Sequence, residues 1–332
     1  MRLAVDAMGG DHAPEEIVRG VLLALEDGLD VEFVLVGDER QIKKYLPKSD
    51  RRLHIYHTEA VITAEEEPVR AIRRKKDASL VVACQLVKDK EVDAMITAGN
   101  TGAFMAAGLL IVGRIPGVDR PALAPVLPTV DRRGVLLLDA GANMDAKPEH
   151  LVQYAQMGEV YVRGTTGQED VRVGLLNVGT EAGKGNELTK AVFVELQKQN
   201  LHFVGNVEAR DVPFGVCDVV VCDGFAGNIL LKTMEGTGMM FARMLREVYG
   251  MGLLGKISAL LIWKQVQALK KKLDYAEYGG APLLGVDGLL IKSHGSSQAR
   301  AIQQTIRQTA KAVQYGVVQR IAENIGKGES MG

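Results

Sequence analysis

Ala94-Met95-Ile96-Thr97, followed at once by Ala98-Gly99-Asn100-Thr101-Gly102, is a short apolar run that breaks into a turn of small residues. Four residues are too few for a buried helix and suit a strand covered on both faces. The turn carries the punctuation that opens a helix. The same pattern recurs along the chain. Residues 3–7 lead into Met8-Gly9-Gly10-Asp11, and residues 135–138 into Asp139-Ala140-Gly141-Ala142-Asn143. Residues 173–178 lead into Gly179-Thr180-Glu181-Ala182-Gly183-Lys184-Gly185-Asn186. Residues 219–222 precede Asp223-Gly224-Phe225-Ala226-Gly227-Asn228, and residues 289–292 precede Ser293-His294-Gly295. Residues 31–36, 53–57 and 202–204 read as plainer strands.

Strands alternating with helices predict an α/β fold, a mostly parallel sheet with helices on both faces. Right-handed crossovers bring the carboxyl ends of such strands to a common edge, and ligands bind outside that edge. Six small-residue turns are therefore expected to face one cleft. Residues 1–326 read as a single compact α/β catalytic unit, and residues 327–332 as a tail.

Composition narrows the function. Hydrophobic residues make up 47% and aromatic ones only 5%, so the core is aliphatic, as buried parallel strands require. A net charge of -1 gives no electrostatic footprint for nucleic acid. Cys84, Cys217 and Cys222 form no CxxC pair, which argues against a disulfide framework or zinc site. The first residues show no signal-peptide core and no apolar run is long enough to span a bilayer, so a cytoplasmic protein is expected.

Turns rich in Gly, Asn, Thr and Ser expose backbone N–H groups, and a following helix adds its positive end, which together favour an anion. Lys184, between Gly183 and Gly185, adds a full charge, and His294 beside Gly295 adds a donor. The alternative for any one turn is that glycine merely permits it. Known fingerprints are missing: residues 179–185 are not a Walker A loop, and neither GxGxxG after the first strand nor GxSxG occurs. Asp6, Asp139 and Asp223 each end a strand, where a carboxylate orients turn amides or holds Mg²⁺.

Two further segments stand out. Residues 243–280 carry no strand pattern and read as a helical excursion, a protruding hairpin with an apolar tip. Leu253, Leu254, Ile257, Leu260 and Leu261 share one face there, with Trp263 beside them and lysines 270–272 beyond. This stripe suits a dimer or core contact, or a membrane-surface anchor. Arg70, Arg73, Arg74, Lys75 and Lys76 suit a solvated helix face, or a dock for an acidic protein.

Taken together, VDAMGGDHAP (5–14), TAGNTGA (97–103), DAGAN (139–143), NVGTEAGKGN (177–186), CDGFAGN (222–228) and KSHG (292–295) resemble the bacterial phosphate acyltransferase family. The resemblance runs from Met1 to about Gly326. It implies a fold similar to the isocitrate and isopropylmalate dehydrogenases and phosphate acetyltransferases. It implies transfer of a fatty acyl group from acyl carrier protein to inorganic phosphate, the entry to phospholipid synthesis, with no cofactor and no metal. It further implies a cytoplasmic homodimer that associates peripherally with the membrane, near a glycerol-3-phosphate acyltransferase. On that reading Lys184, His294, Asn228 and Asp223 are the catalytic candidates. Gly9, Gly10, Asn100, Thr101, Gly102, Asn143, Gly183, Gly185, Asn186, Gly224, Gly227 and Gly295 are the phosphate and substrate candidates. Phe225, Leu253, Leu254 and Ile257 are offered as lining for the acyl chain. The rival readings are a phosphate acyltransferase fed by coenzyme A thioesters, a metal- and NAD-dependent dehydrogenase, and a non-catalytic membrane scaffold.

Overall fold

The computed structural model describes residues 1–46, 50–250, 262, 264, 265 and 278–329. The first half runs β1 (Arg2–Asp6), α1 (Glu15–Glu26), β2 (Glu32–Gly37), α2 (Glu39–Ile42), β3 (Leu53–His57), α3 (Pro68–Arg74), α4 (Ser79–Lys88), β4 (Ala94–Thr97) and α5 (Thr101–Ala107). Two short strands follow, β5 (Ala122–Leu123) and β6 (Val126–Leu127), then β7 (Val135–Leu138) and α6 (Pro148–Thr166). The second half runs β8 (Arg172–Asn177), α7 (Glu187–Gln197), β9 (His202–Glu208), β10 (Val219–Val221) and α8 (Gly224–Gly250). It closes with β11 (Ala281–Leu284), β12 (Leu289–Lys292), α9 (Ala299–Tyr315) and α10 (Val317–Glu329).

The strands form two sheets, where the sequence suggested one. Seven strands pair in the order β3-β2-β1-β4-β12-β11-β5, and five in the order β6-β7-β10-β8-β9. The remaining pairs are parallel in both sheets, and the antiparallel ones are β11 with β12, β11 with β5 and β6 with β7. Residues 122–127 cross between the sheets, since β5 pairs with β11 and β6 with β7. Pro121, Pro125 and Pro128 flank these two strands and keep each to two residues, because proline donates no ladder hydrogen bond.

Side chains alternate across each strand, and in the central strands both sets are buried, so both faces of each sheet are covered there. In the larger sheet Leu3, Val5, Phe33, Leu35, Ile96 and Ile291 face one way, and Ala4, Val34, Val36, Met95 and Leu290 the other. In the smaller sheet Leu136, Leu138, Val173, Leu175, Val219 and Val221 share their core with the first set, whereas Val135, Leu137 and Val220 face α8. One continuous core therefore joins the two sheets, through Tyr154 and Tyr161 of α6 and Ile302 and Ile306 of α9. Close approach needs glycine at the contacts: a Cβ on Gly158 of α6 would lie 2.7 Å from Val219, and one on Gly20 of α1 2.5 Å from Ile302 of α9.

The helical excursion begins earlier than the sequence suggested. Helix α8 already starts at Gly224 and runs unbroken for 27 residues, about 40 Å, into the segment read as a separate hairpin. The apolar stripe of Leu253, Leu254, Ile257, Leu260 and Leu261, and Trp263 with it, lies outside the described residues. No described helix is long and apolar enough to cross a membrane.

Candidate active site

The turns after β1, β4 and β12 interlock at the edge of the larger sheet. Asp6 ends β1 fully buried; its carboxylate accepts from the Thr97 hydroxyl at 2.7 Å and from the Met8 amide at 3.2 Å. The Gly99 amide donates to Thr97 Oγ1 at 2.9 Å. Gly9 fits beneath these groups only because it lacks a side chain, since a Cβ there would lie 2.5 Å from Asp6 Oδ2. The Asp11 amide donates to Gly295 O at 2.9 Å, which ties the first turn to the last. Gly10, at φ +109, takes a backbone conformation that favours glycine.

Lys292 ends β12 in the same corner with only 7% of its surface exposed. Its ammonium donates to Ser293 O. Burial pulls the Lys292 pKa down to about 8, against the opposing pull of Asp6 and Asp11. Burial likewise raises the Asp6 carboxyl above its usual range, and the Ser79 and Thr97 hydroxyls, the Met8 amide and Lys292 offset part of that. Beside them His294 holds Nδ1 2.8 Å from Ser296 Oγ. Partial desolvation, then the charge of Lys292, lowers its pKa.

The turns after β7 and β10 form a second corner. Asp139 is completely buried, with its carboxylate wrapped by the amides of Leu123, Gly141, Ala142 and Asn143 at 2.6–3.2 Å. Asn143 spends its side-chain amide on Pro121 O and Asp139. The Gly224 amide donates to Asn143 O, and a Cβ on Gly227 would collide with Asp139 O, so α8 starts hard against this turn. Asp223 accepts from the Ala226 amide at 2.8 Å and so caps α8. Asn228 donates to Ala140 O at 3.1 Å.

Between the two corners opens a cavity of about 1430 Å³. Its polar end is made by Gly10, Asp11, residues 98–102, Asn228, Lys232 and residues 292–295. Its apolar wall is made by Leu123, Pro125, Val126 and Leu127 on one side, and by Leu231, Met234, Gly238, Met239, Phe241, Leu245 and Tyr249 of α8 on the other. Residues 61–65 close a further side; Asn100 holds them by donating to Thr63 O and Ala64 O, while its Oδ1 caps α5 through the Ala103 amide.

The sequence-derived candidates therefore divide. Gly10, Asn100, Thr101, Gly102, Asn228, His294 and Gly295 line the cavity. Gly9, Asn143, Gly224, Gly227 and Asp223 lie behind it, where they shape turns and cap α8. Lys184, Gly183, Gly185 and Asn186 lie on the turn between β8 and α7, outside the cavity lining. Asn177 donates to Lys184 O, and Asn186 caps α7 through Thr189, so that turn is organised around its own helix. Phe225 points to solvent and is not part of the wall. Lys292 and the α8 wall were missed. The signal for Lys292 was present, as a lone cation closing the apolar strand Leu289–Lys292 just ahead of a Ser-His-Gly turn.

The family model described as "Fatty acid synthesis protein" matches residues 1–320. A phosphate acyltransferase of Oceanobacillus iheyensis is 55% identical over 332 residues, covering 99% of each chain. The chain belongs to the phosphate acyltransferase family. Another phosphate acyltransferase, from Anoxybacillus flavithermus, is 54% identical over 98% of this chain and 99% of its own. The family's architecture is also that of solved phosphotransacylases. A phosphotransacetylase from Streptococcus pyogenes matches with a TM-score of 0.59 at 17% identity, over 94% of each chain. A branched-chain phosphotransacylase from Enterococcus faecalis V583 matches with a TM-score of 0.59 at 14% identity, over 94% of this chain and 99% of that one. At such identities the likeness is one of fold alone.

Proposed function

We propose that this phosphate acyltransferase family member transfers a fatty acyl group from the thioester of acyl carrier protein to inorganic phosphate. The observation that carries this reading is a single cavity that joins a cationic, amide-lined corner to a long apolar wall. The corner suits phosphate and the wall suits an acyl chain; a thioester carbonyl set between them meets both.

A thioester is already activated, so the protein has to position rather than form a covalent intermediate. Cys84, Cys217 and Cys222 are buried, and burial pushes each thiol up, Cys217 to about 12, which leaves none primed as a nucleophile. Lys292, with the amides of Gly10 and Asn100 on the cavity wall, holds the phosphate. One phosphate oxygen attacks the carbonyl carbon, and a C–O bond forms while charge moves to the carbonyl oxygen. Asn228 and His294 are the side-chain donors placed to meet that oxyanion. Collapse breaks the C–S bond, and the proton released by the phosphate leaves on the thiol. The Asp6 carboxylate is compatible with a nearby anion because it is hydrogen-bonded and sits with Lys292.

The product, an acyl phosphate, is a mixed anhydride suited to an acyl acceptor such as glycerol 3-phosphate. The wider reading is a cytoplasmic homodimer that meets the membrane peripherally and supplies a glycerol-3-phosphate acyltransferase on the way to phospholipids. Incubation with phosphate and palmitoyl-acyl carrier protein, with palmitoyl-coenzyme A in parallel, tests the reaction, with acyl phosphate trapped as its hydroxamate. Phosphate-dependent product from the carrier-protein donor, lost in Lys292→Met, is the expected result. Product from coenzyme A alone would replace the donor, and none from either would overturn the reading.

A further inference from the structure

Arg70, Arg73 and Arg74 stand at positions i, i+3 and i+4 of α3, so they share one helix face, opposite the buried Ala71 and Ile72. All three are exposed, as is Lys76 one residue past the helix end, and none of the four takes an ion pair among the described residues. The acidic residues just before them are largely occupied. Glu67 caps α3 through the amides of Val69 and Arg70, and Glu66 binds Lys75 and the Thr63 amide.

The face is fixed to the cavity rim. Lys75 donates to Val61 O at 2.8 Å, and residues 61–65, which lead into α3, line the cavity. Pro68 at the start of α3 packs on Gly102 so closely that a Cβ there would lie 2.6 Å from it. We infer that the Arg70–Arg73–Arg74 face, with Lys76, is the docking surface for the acidic surface of the carrier protein that delivers the acyl thioester. This rests on the function proposed above. A convex helix face with three forked cations outside the cavity fits an extended acidic protein surface, whereas coenzyme A would bring its phosphates as a compact ligand.

The test measures steady-state kinetics of Arg73→Glu/Arg74→Glu with three donors: palmitoyl-acyl carrier protein, palmitoyl-coenzyme A and palmitoyl-pantetheine. KM for the carrier-protein donor should rise about tenfold or more at low salt, with kcat nearly kept, and the gap should shrink as salt is added. KM for palmitoyl-pantetheine should not move, which also shows that the variant is folded. An unchanged KM for the carrier protein overturns the docking face, and so does an equal rise with coenzyme A. A parent protein inactive with every donor instead overturns the proposed reaction, so the two failures are distinguishable.

Discussion

In the proposed reaction Lys292 is the residue that holds the phosphate. Its ammonium is charged below about pH 8 and neutral above, because burial disfavours the charge. If that charge holds phosphate, kcat/KM for phosphate falls as pH rises through about 8, since this ratio reports the free enzyme. Lys292→Arg, whose guanidinium stays charged, should lose the alkaline fall at whatever activity it retains. Asp6→Asn removes the carboxylate that supports the ammonium, so the fall should begin at lower pH; a profile unmoved by both changes would discard Lys292 as the group that titrates. The effect on stability has the opposite sign. The unfolded chain titrates this lysine near 10.5, so between about 8 and 10.5 the unfolded state holds the extra proton, and stability from this group rises with pH. Lys292→Met should therefore abolish turnover yet melt no lower than the parent at neutral pH, because relief of desolvation offsets the lost partner of Asp6. Little of this was legible beforehand. The lysine was visible at the end of its strand, but its burial and its nearness to Asp6 depend on β12 pairing with β4 and β4 with β1, across about 190 residues of chain that carry no mark of it.

At the scale of elements the sequence spoke more clearly. The strands at 94–97, 135–138 and 289–292 fall where the apolar runs placed them, since short aliphatic runs that break into a glycine-containing turn have few other uses in an α/β chain, and the plainer strand at 53–57 also falls where expected. The pairs β5 and β6 escaped notice because prolines interrupt their pattern. The wall that α8 gives the cavity is not legible in the sequence, because residues 224–242 read as an ordinary helix over a sheet although Leu231 and Met234 already line the cavity. That wall contains Gly238, where an added Cβ would meet nothing within 4 Å. Gly238→Leu should place its side chain in the cavity without disturbing the fold, and should stabilise α8 by about 0.5–1 kcal/mol, because glycine is a poor helix former. If the acyl chain lies along α8, kcat/KM for a palmitoyl donor falls about tenfold or more, while an octanoyl donor is spared. Equal loss with both chain lengths would place the acyl chain elsewhere.

At the scale of the whole molecule, two sheets rather than one decide which turns can meet. A single parallel sheet would have set all six small-residue turns along one edge, and Lys184 among them. Division into layers brings the turns after β1, β4, β7, β10 and β12 around one cavity and leaves the turn after β8 outside its lining. The two candidate phosphate lysines thus belong to different sheets and can be separated by ligand-linked stability. A ligand that binds only the folded state at 100 times its Kd adds about 2.7 kcal/mol, and in a chain of this size that raises Tm by about 4 °C. Phosphate should give such a shift in the parent and in Lys184→Ala, and none in Lys292→Met. The reverse pattern would place the phosphate at the β8 turn instead of beside Lys292, and loss of the shift in both variants would mean that the phosphate site spans both sheets.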